Sequence, residues 1–253
     1  MSKTKLVKNK KNYLKKWRQV FKVVVTVLTA LSLFIGIIMG VSTLAERRSV
    51  RRNTVASTDT LLNSRDLSDV FECLNFLVAV REAIGKTHGV IFASDFEGVE
   101  VLDAGTRGIS SFAGLEYFID LIELNISGNE VDFIDISNNT ALEVLIARNM
   151  GLASLCVSNN RALRVLRLAR NNIGELNLYY NRALEELELD WNFLRELDLS
   201  HHTRMQSLSI NVTPIEKLYL WDLRQINVFR YINTPIANDR SRIMIQGHPL
   251  PRD

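Results

Sequence analysis

Apolar side chains recur in register along the second half of the chain, with a repeat of 21 residues. When the chain is divided into rows of 21 from Asp120 onward, each row holds one apolar residue followed by two more, three and five positions later. Neither the period of a helix nor the alternation of an isolated strand generates this pattern. It predicts a repeat solenoid, mainly β, in which each row forms one coil.

Three apolar columns define the inner side of the predicted coils. Their members are Leu121, Leu142, Leu163, Leu184, Met205 and Ile226, then Leu124, Leu145, Leu166, Leu187, Leu208 and Phe229, and then Ile126, Ala147, Leu168, Leu189, Ile210 and Tyr231. A single coil is too small to bury its own apolar residues, so stacked coils must share one core. We therefore expect about six to seven coils with continuous buried columns.

Asparagine recurs at two positions of the rows, where we expect the coils to turn. Asn129, Asn171 and Asn192 occupy one corner, and Asn139, Asn160 and Asn181 occupy the other. A buried amide side chain can bind the backbone groups that a tight corner leaves without partners. Met150 and His202 interrupt the two asparagine series.

The row pattern Leu-x-x-Leu-x-Leu-x-x-Asn is the leucine-rich-repeat motif. From about residue 99 to 240, the chain resembles bacterial surface proteins of the internalin type, and Val101 to Asn129 looks like the first repeat of such an array. In the column from Ile126 to Ile210, this chain has aliphatic residues where some such proteins stack cysteines. The resemblance implies binding of proteins or glycans at a cell surface, without identifying the ligand.

A run of 23 uncharged residues, Val23–Ala45, is long enough to cross a bilayer as one helix. Nine Lys and Arg precede it in the basic tail of residues 1–22, and four Arg follow it. We therefore expect a signal anchor in a single-pass membrane protein, with the N-terminus in the cytoplasm and the repeats in the periplasm or outside the cell. A signal peptide cleaved near Ala45 is the alternative, and it would yield a secreted adhesin.

The residues between the apolar run and the repeats fall into two parts. Residues 46–64 are mostly polar and predict a linker. Within residues 65–98, three- and four-residue steps predict an amphipathic helix that ends near Gly85 and forms an N-terminal cap on the first coil. The apolar residues of this helix are Leu67, Val70, Phe71, Leu74, Leu77, Val78 and Ile84. Residues 241–253 form a C-terminal tail after the last row.

Charge is segregated along the chain. Residues 1–52 contain 13 Lys and Arg and a single acid, Glu46, whereas the remainder contains 18 basic and 27 acidic residues. The repeats therefore lack the dense basic surface that would neutralise phosphates, and a nucleic-acid partner is disfavoured.

The outward positions of the first strand in each row carry the candidate binding residues, because strand side chains alternate. The predicted partner surface consists of Arg148, Arg164, Arg167, Arg170, Glu188 and Trp191. Ion pairs of Arg164 with Glu185 and of Arg167 with Glu188 could also serve solubility alone. The other half of the rows offers an alternative aromatic face, made of Tyr179, Tyr180, Tyr219 and Trp221.

No catalytic, cofactor-binding or metal-binding motif accompanies these residues. The four histidines show no ligand spacing, and neither a phosphate-binding glycine loop nor a nucleophile elbow is present. We predict a membrane-anchored binding module for a protein or glycan ligand and no enzymatic activity. One alternative is a structural protein of a membrane complex, in which Gly36 and Gly40 support a weak homodimer of the membrane helix. Another is an accessory domain of an enzyme on a separate chain.

Overall fold

The computed structural model describes residues 65–245 and 248–249. The basic tail, the predicted membrane helix of residues 23–45 and the linker lie outside these residues, so the anchor stays a prediction. Within the described part of the chain, no helix combines the length and the apolar character that a bilayer crossing requires.

The described residues form eleven short strands, most of them three residues long. In chain order they are β1 (Val101–Asp103), β2 (Glu123–Asn125), β3 (Val144–Ile146), β4 (Val165–Arg167), β5 (Glu186–Glu188), β6 (Glu196–Leu199), β7 (Ser207–Ser209), β8 (Lys217–Leu220), β9 (Val228–Arg230), β10 (Ile243–Ile245) and β11 (His248–Pro249). Seven of them form a parallel sheet in the order β1-β2-β3-β4-β5-β7-β9. The chain therefore winds as a solenoid of about seven coils, as the repeats predict.

The register of this sheet reproduces the second apolar column of the sequence. Leu102 pairs with Leu124, and the pairing continues from coil to coil without a shift as far as Phe229. In β4, for example, Leu166 is fully buried between two half-buried neighbours. Because strand side chains alternate, the middle residue of each strand faces the core and the flanking residues face outward.

The three apolar columns are buried in the first five rows, as predicted. The prediction was wrong for the sixth row, because Ile226, Phe229 and Tyr231 are only partly buried. The reason is that β9 is the edge strand of the sheet, so these residues have a neighbouring coil on one side only.

The other half of the coils forms a smaller sheet near the C-terminal end of the solenoid. In it β6, β8 and β10 run parallel, and β11 pairs antiparallel with β10. Residues 243–245, which the sequence assigns to the tail, thus add a strand beside β8. The short helical segments of the repeat region are Leu115–Tyr117, Leu223–Gln225 and Arg240–Arg242, all 3-10 helices, and the four-residue α-helix Pro235–Asn238.

One helix of ten residues, α1 (Leu74–Ala83), lies before β1, between the 3-10 segments Ser68–Val70 and Ala93–Phe96. It is shorter than the predicted amphipathic helix. The predicted buried face was also wrong, because Leu74 and Val78 are 71% and 45% exposed.

The face that α1 buries consists of Phe76, Ala79 and Val80. Leu67 and Phe71 are buried as well, but they precede the helix, so their spacing does not continue into it. The Phe76 ring packs edge-on against Phe112 of the first coil, with ring centroids 5.0 Å apart. Burial of this aromatic pair holds α1 against the repeats.

The asparagine corners are buried and bind backbone groups, as predicted. In Asn171, Nδ2 donates to the carbonyl oxygens of Ala147 at 2.7 Å and Leu168 at 2.9 Å. Its Oδ1 accepts from the backbone N–H groups of Met150 and Leu152, each at 3.1 Å. The amide therefore replaces the hydrogen bonds that the turn interrupts and joins neighbouring coils.

His202 takes the place of a corner asparagine without reproducing its bonds. Its side chain is buried, and both ring nitrogens lack a hydrogen-bond partner in the described structure. Burial lowers the pKa of the imidazole, and the nearby backbone carbonyls of Leu178 and Leu199 offset this effect only in part. The neutral ring is therefore favoured in the folded protein.

Candidate functional site

The six predicted partner-binding residues lie together on the outer face of the seven-stranded sheet. They are Arg148, Arg164, Arg167, Arg170, Glu188 and Trp191, and they belong to the consecutive coils of β3, β4 and β5. Three carboxylates that bind Arg164 or Arg167 belong to the same coils, and they are Glu143, Glu185 and Glu186. We call these nine residues the charged strip. The sheet brings together side chains that are far apart in the sequence because each coil adds one strand beside the last.

Two arginines of the charged strip bind carboxylates of the next coil. Arg167 donates from Nε and Nη2 to the two oxygens of Glu186, at 2.6 and 3.1 Å, which is a bidentate pair. Arg164 donates from Nε and Nη2 to Glu185, at 3.2 and 3.0 Å, and its Nη1 lies 3.5 Å from Glu143. The predicted pair of Arg164 with Glu185 is present.

The predicted pair of Arg167 with Glu188 was wrong. These two residues are directly opposite in the strand register, but Glu188 binds Arg148 instead, whose Nε donates to Oε1 at 2.9 Å. Arg167 reaches diagonally to Glu186. Strand register places backbones opposite each other, whereas a long guanidinium side chain can also reach diagonal neighbours.

The ion pairs favour the charged forms of both partners. Hydrogen bonds from Arg167 lower the pKa of Glu186, and hydrogen bonds from Arg164 lower the pKa of Glu185. The same bonds raise the pKa of each arginine. Such pairs near the surface contribute little to stability. Their main effect is to neutralise and orient the arginines of the strip.

Arg170 and Trp191 occupy a turn position at which the backbone is left-handed in coil after coil. Their φ angles are 60° and 58°, and Asn149, Val212 and Asn233 hold the equivalent position with φ of 54°, 54° and 57°. Asparagine tolerates this conformation, whereas other residues lose roughly 1–2 kcal/mol in it. Val212 adopts this conformation as well, so the left-handed backbone is a general property of the repeat turn and is not confined to the charged strip.

Trp191 is a large aromatic side chain that stays open to solvent. Its exposed fraction is 55%, and the guanidinium of Arg170 lies 5.8 Å from the centre of its ring. The backbone N–H of Trp191 donates to the carbonyl of Asn211 at 2.9 Å, and this bond joins the turn to the next coil. A rigid backbone therefore presents a stacked aromatic and cationic pair to solvent.

Sequence reasoning missed the polar cluster that supports this turn. Asp190 accepts hydrogen bonds from the Ser209 hydroxyl and the Asn211 backbone, both at 2.7 Å, and from the Asn211 amide at 3.0 Å. The only signal in the sequence is that Asp190 and Asn211 are one row apart. This cluster ties the turn before Trp191 to the next coil.

The alternative aromatic face is assembled only in part. The rings of Tyr179 and Tyr180 contact each other edge-on with centroids 5.1 Å apart, and Tyr179 contacts His201 of the next coil at 5.8 Å. Tyr219 lies in β8 and Trp221 directly follows it. Among the described residues, no ring contact joins these two to the tyrosine pair.

Neither a metal group nor a disulfide occurs in the part of the chain that the structure describes. No three His, Cys, Asp or Glu side chains in residues 65–245 and 248–249 are grouped to hold an ion. Cys73 is buried and Cys156 is exposed, and both are free thiols.

Parallel strands in register, buried leucine columns and asparagine corners at 21-residue spacing define a leucine-rich-repeat fold. The functional domain of InlJ from Listeria monocytogenes, which includes a cysteine ladder, is similar with a TM-score of 0.55 at 23% identity. That match covers 67% of this chain and 43% of the InlJ domain. The internalin InlF from the same organism is similar with a TM-score of 0.53 at 20% identity, over 71% of this chain and 63% of that one.

These matches confirm the internalin-type repeat fold that the sequence resembles. They establish the fold alone, because the identities are low and the chain spans less than two thirds of either internalin structure. No protein-family model matches the chain, and no curated protein matches it. This chain has only two cysteines, so it has no ladder of the InlJ kind.

Proposed function

We propose that this protein is a membrane-anchored recognition module, whose leucine-rich repeats bind a protein ligand outside the cytoplasm through the charged strip. The observation that carries the proposal is the exposed Trp191, held in a strained left-handed turn and stacked by Arg170. Tryptophan and arginine are the residues on which binding energy concentrates in protein interfaces. The ion-paired arginines beside them supply orientation and specificity.

Apolar side chains lie between the charges of the strip. Val144, Ile146 and Val165 are half-buried residues on the outer face of β3 and β4. Protein interfaces combine an apolar centre with a polar rim. The outer face of β3 to β5 has this composition, which supports a protein ligand.

Membrane anchoring and export rest on the sequence. The uncharged run Val23–Ala45 and the basic tail before it favour one membrane helix with the repeats in the periplasm or outside the cell. Protease added to spheroplasts should then degrade the repeats and leave an N-terminal fragment protected. Protection of the whole chain would contradict this orientation.

A structural role in a membrane complex is the second candidate function. Gly36 and Gly40 form a GxxxG pair within the apolar run, which lets two membrane helices approach closely. In that case the full-length protein should self-associate in detergent, and Gly36→Ile should abolish the association.

Photocrosslinking from the strip tests the leading proposal. A photoreactive residue replaces Trp191 in the full-length protein in its own membrane, and the control replaces Phe193, which is two positions away and 61% exposed. Position 191 should crosslink to a defined protein and position 193 should not. Once that protein is purified, Trp191→Ala should weaken its binding by tenfold or more, since truncating an anchor removes about 2 kcal/mol. Equal crosslinking from both positions, or equal affinity of Trp191→Ala and Phe193→Ala, would reject the charged strip.

A further inference from the structure

A second cationic and aromatic cluster lies at the corner of the coils that contains Asn160 and Asn181. The guanidinium carbon of Arg161 is 5.3 Å from the centre of the Tyr180 ring, and that of Arg182 is 5.1 Å from the centre of the Tyr179 ring. Tyr179 also contacts Tyr180 and His201. We call Arg161, Arg182, Tyr179, Tyr180 and His201 the basic corner. All five side chains are exposed.

The two arginines of the basic corner differ from the ion-paired arginines of the charged strip in their partners. Arg148, Arg164 and Arg167 are each bound to a carboxylate of the protein. In the described structure, neither Arg161 nor Arg182 forms an ion pair or a side-chain hydrogen bond. Their N–H donors are therefore available to an external anion.

The rings of Tyr180 and Tyr179 orient Arg161 and Arg182 in the absence of a ligand. Stacking of a guanidinium on tyrosine is favourable and leaves the planar edge of the group free for bidentate bonds to an anion. Arg161 and Arg182 also occupy equivalent positions of neighbouring coils, and adjacent strands of such a solenoid lie about 4.8 Å apart. Two donors that are already oriented lose less conformational entropy on binding than free arginine side chains.

We propose that the basic corner binds an anionic glycan, a sugar polymer that bears sulfate or phosphate groups. Arg161 and Arg182 bind anionic groups on successive sugar units. The half-exposed rings of Tyr179 and Tyr180 offer apolar surface, which suits the C–H groups of a sugar. This site is separate from the charged strip, so glycan and protein ligands would bind independently.

Arginine footprinting on the full-length protein in detergent tests the proposal residue by residue. Phenylglyoxal modifies accessible arginines, and mass spectrometry measures the rate of modification at each one. Binding of the ligand to the basic tail therefore does not obscure its binding at Arg161 and Arg182. Dextran sulfate or phosphorylated dextran should slow modification of Arg161 and Arg182 at least threefold, and the more effective of the two identifies the anionic group. The control residues Arg195 and Arg224 are exposed arginines in ion pairs elsewhere on the repeats, and their rates should not change.

Three results of this experiment would overturn the proposal. The first is that neither anionic dextran protects the two arginines. The second is that neutral dextran protects them equally, which would remove the role of charge. The third is that polyphosphate protects them as well as the anionic dextrans do, which would remove the role of the sugar.

The tyrosines are tested through the concentration of dextran sulfate that gives half-maximal protection of the arginines. The double variant Tyr179→Ala/Tyr180→Ala should raise this concentration roughly fivefold, because two stacking interactions are lost. Tyr179→Phe/Tyr180→Phe should leave it within about twofold, because phenylalanine keeps the ring face. Trp191→Ala should leave it unchanged. An unaltered midpoint in the alanine variant would overturn the role of the rings.

Discussion

The guanidinium group of Arg148 binds the carboxylate of Glu188, which lies 40 positions later in the chain and two coils further along the sheet. In the coil between them, the position equivalent to Arg148 is Ala169, a small and buried residue. The arginine side chain passes over this coil to reach its partner. The pair therefore joins three coils and makes the outer face of β3 to β5 one continuous surface.

This long-range pair should stabilise the folded protein more than an ordinary surface pair. A double-mutant cycle with Arg148→Ala and Glu188→Ala should give a coupling free energy of about 0.5–1 kcal/mol in urea unfolding. The control cycle uses Arg195 and Glu216, whose side chains are 77% and 47% exposed and should couple by much less. Equal coupling in the two cycles would contradict a special role for Arg148.

Leu166→Asp should destabilise the repeats severely. Leu166 is fully buried in the middle column, and burial of an unpaired carboxylate costs several kcal/mol, a large part of a domain's stability. The control Val165→Asp changes the neighbouring residue on the outer face and should alter the free energy of unfolding far less. Equal melting temperatures for the two variants would reject the column assignment.

His202 should make stability depend on pH below neutrality. The imidazole has a pKa of about 6.5 in the unfolded chain, and burial lowers it in the folded protein. The stability associated with the neutral ring is therefore complete above pH 6.5 and is lost as the pH falls through 6.5 toward the lowered folded pKa. Urea unfolding between pH 7.5 and pH 5 should show this loss.

The matched variant His202→Asn should remove that part of the pH dependence and raise stability. The equivalent Asn181 donates to the carbonyl oxygens of Val157 at 2.9 Å and Asn160 at 2.8 Å. An asparagine at 202 can make the same bonds one coil later, which should add about 1 kcal/mol to the free energy of unfolding at pH 7. Identical pH profiles of the two proteins would show that His202 is not responsible.

Trp191→Asn should separate binding from stability. Asparagine tolerates the left-handed backbone at this position, so the variant should gain up to about 1 kcal/mol in unfolding free energy. The same change removes the exposed aromatic ring and should weaken binding of the protein ligand by tenfold or more, as expected for Trp191→Ala. The control Asn233→Asp changes a residue with the same left-handed backbone outside the strip, and it should leave binding of the protein ligand unchanged. A Trp191→Asn protein that is less stable than the parent would argue against strain at this turn.

The sequence determined the repeat architecture because each position of a coil has an equivalent residue 21 positions later, in the next row. Leu166 is predicted to be buried from its own row and from the leucines above and below it, and the same argument holds for the asparagine corners. The prediction failed where that repetition ends. Leu74 and Val78 precede the repeats, so no row constrains their environment. Phe229 lies in the edge strand, so it has a neighbouring coil on one side only.

The partners of the outward side chains were decided only by the tertiary structure. Arg167 has Glu186 and Glu188 within reach on the same strand, and its long side chain allows either. The choice depends on Arg148, which takes Glu188 from two coils away, and no spacing in the sequence marks a contact of that length. The absence of carboxylate partners for Arg161 and Arg182 in the described structure has the same origin. Sequence periodicity specifies which side of a coil a residue faces. The contacts of an exposed flexible side chain depend on which charged and aromatic side chains of neighbouring coils lie within its reach, and only the tertiary structure shows them.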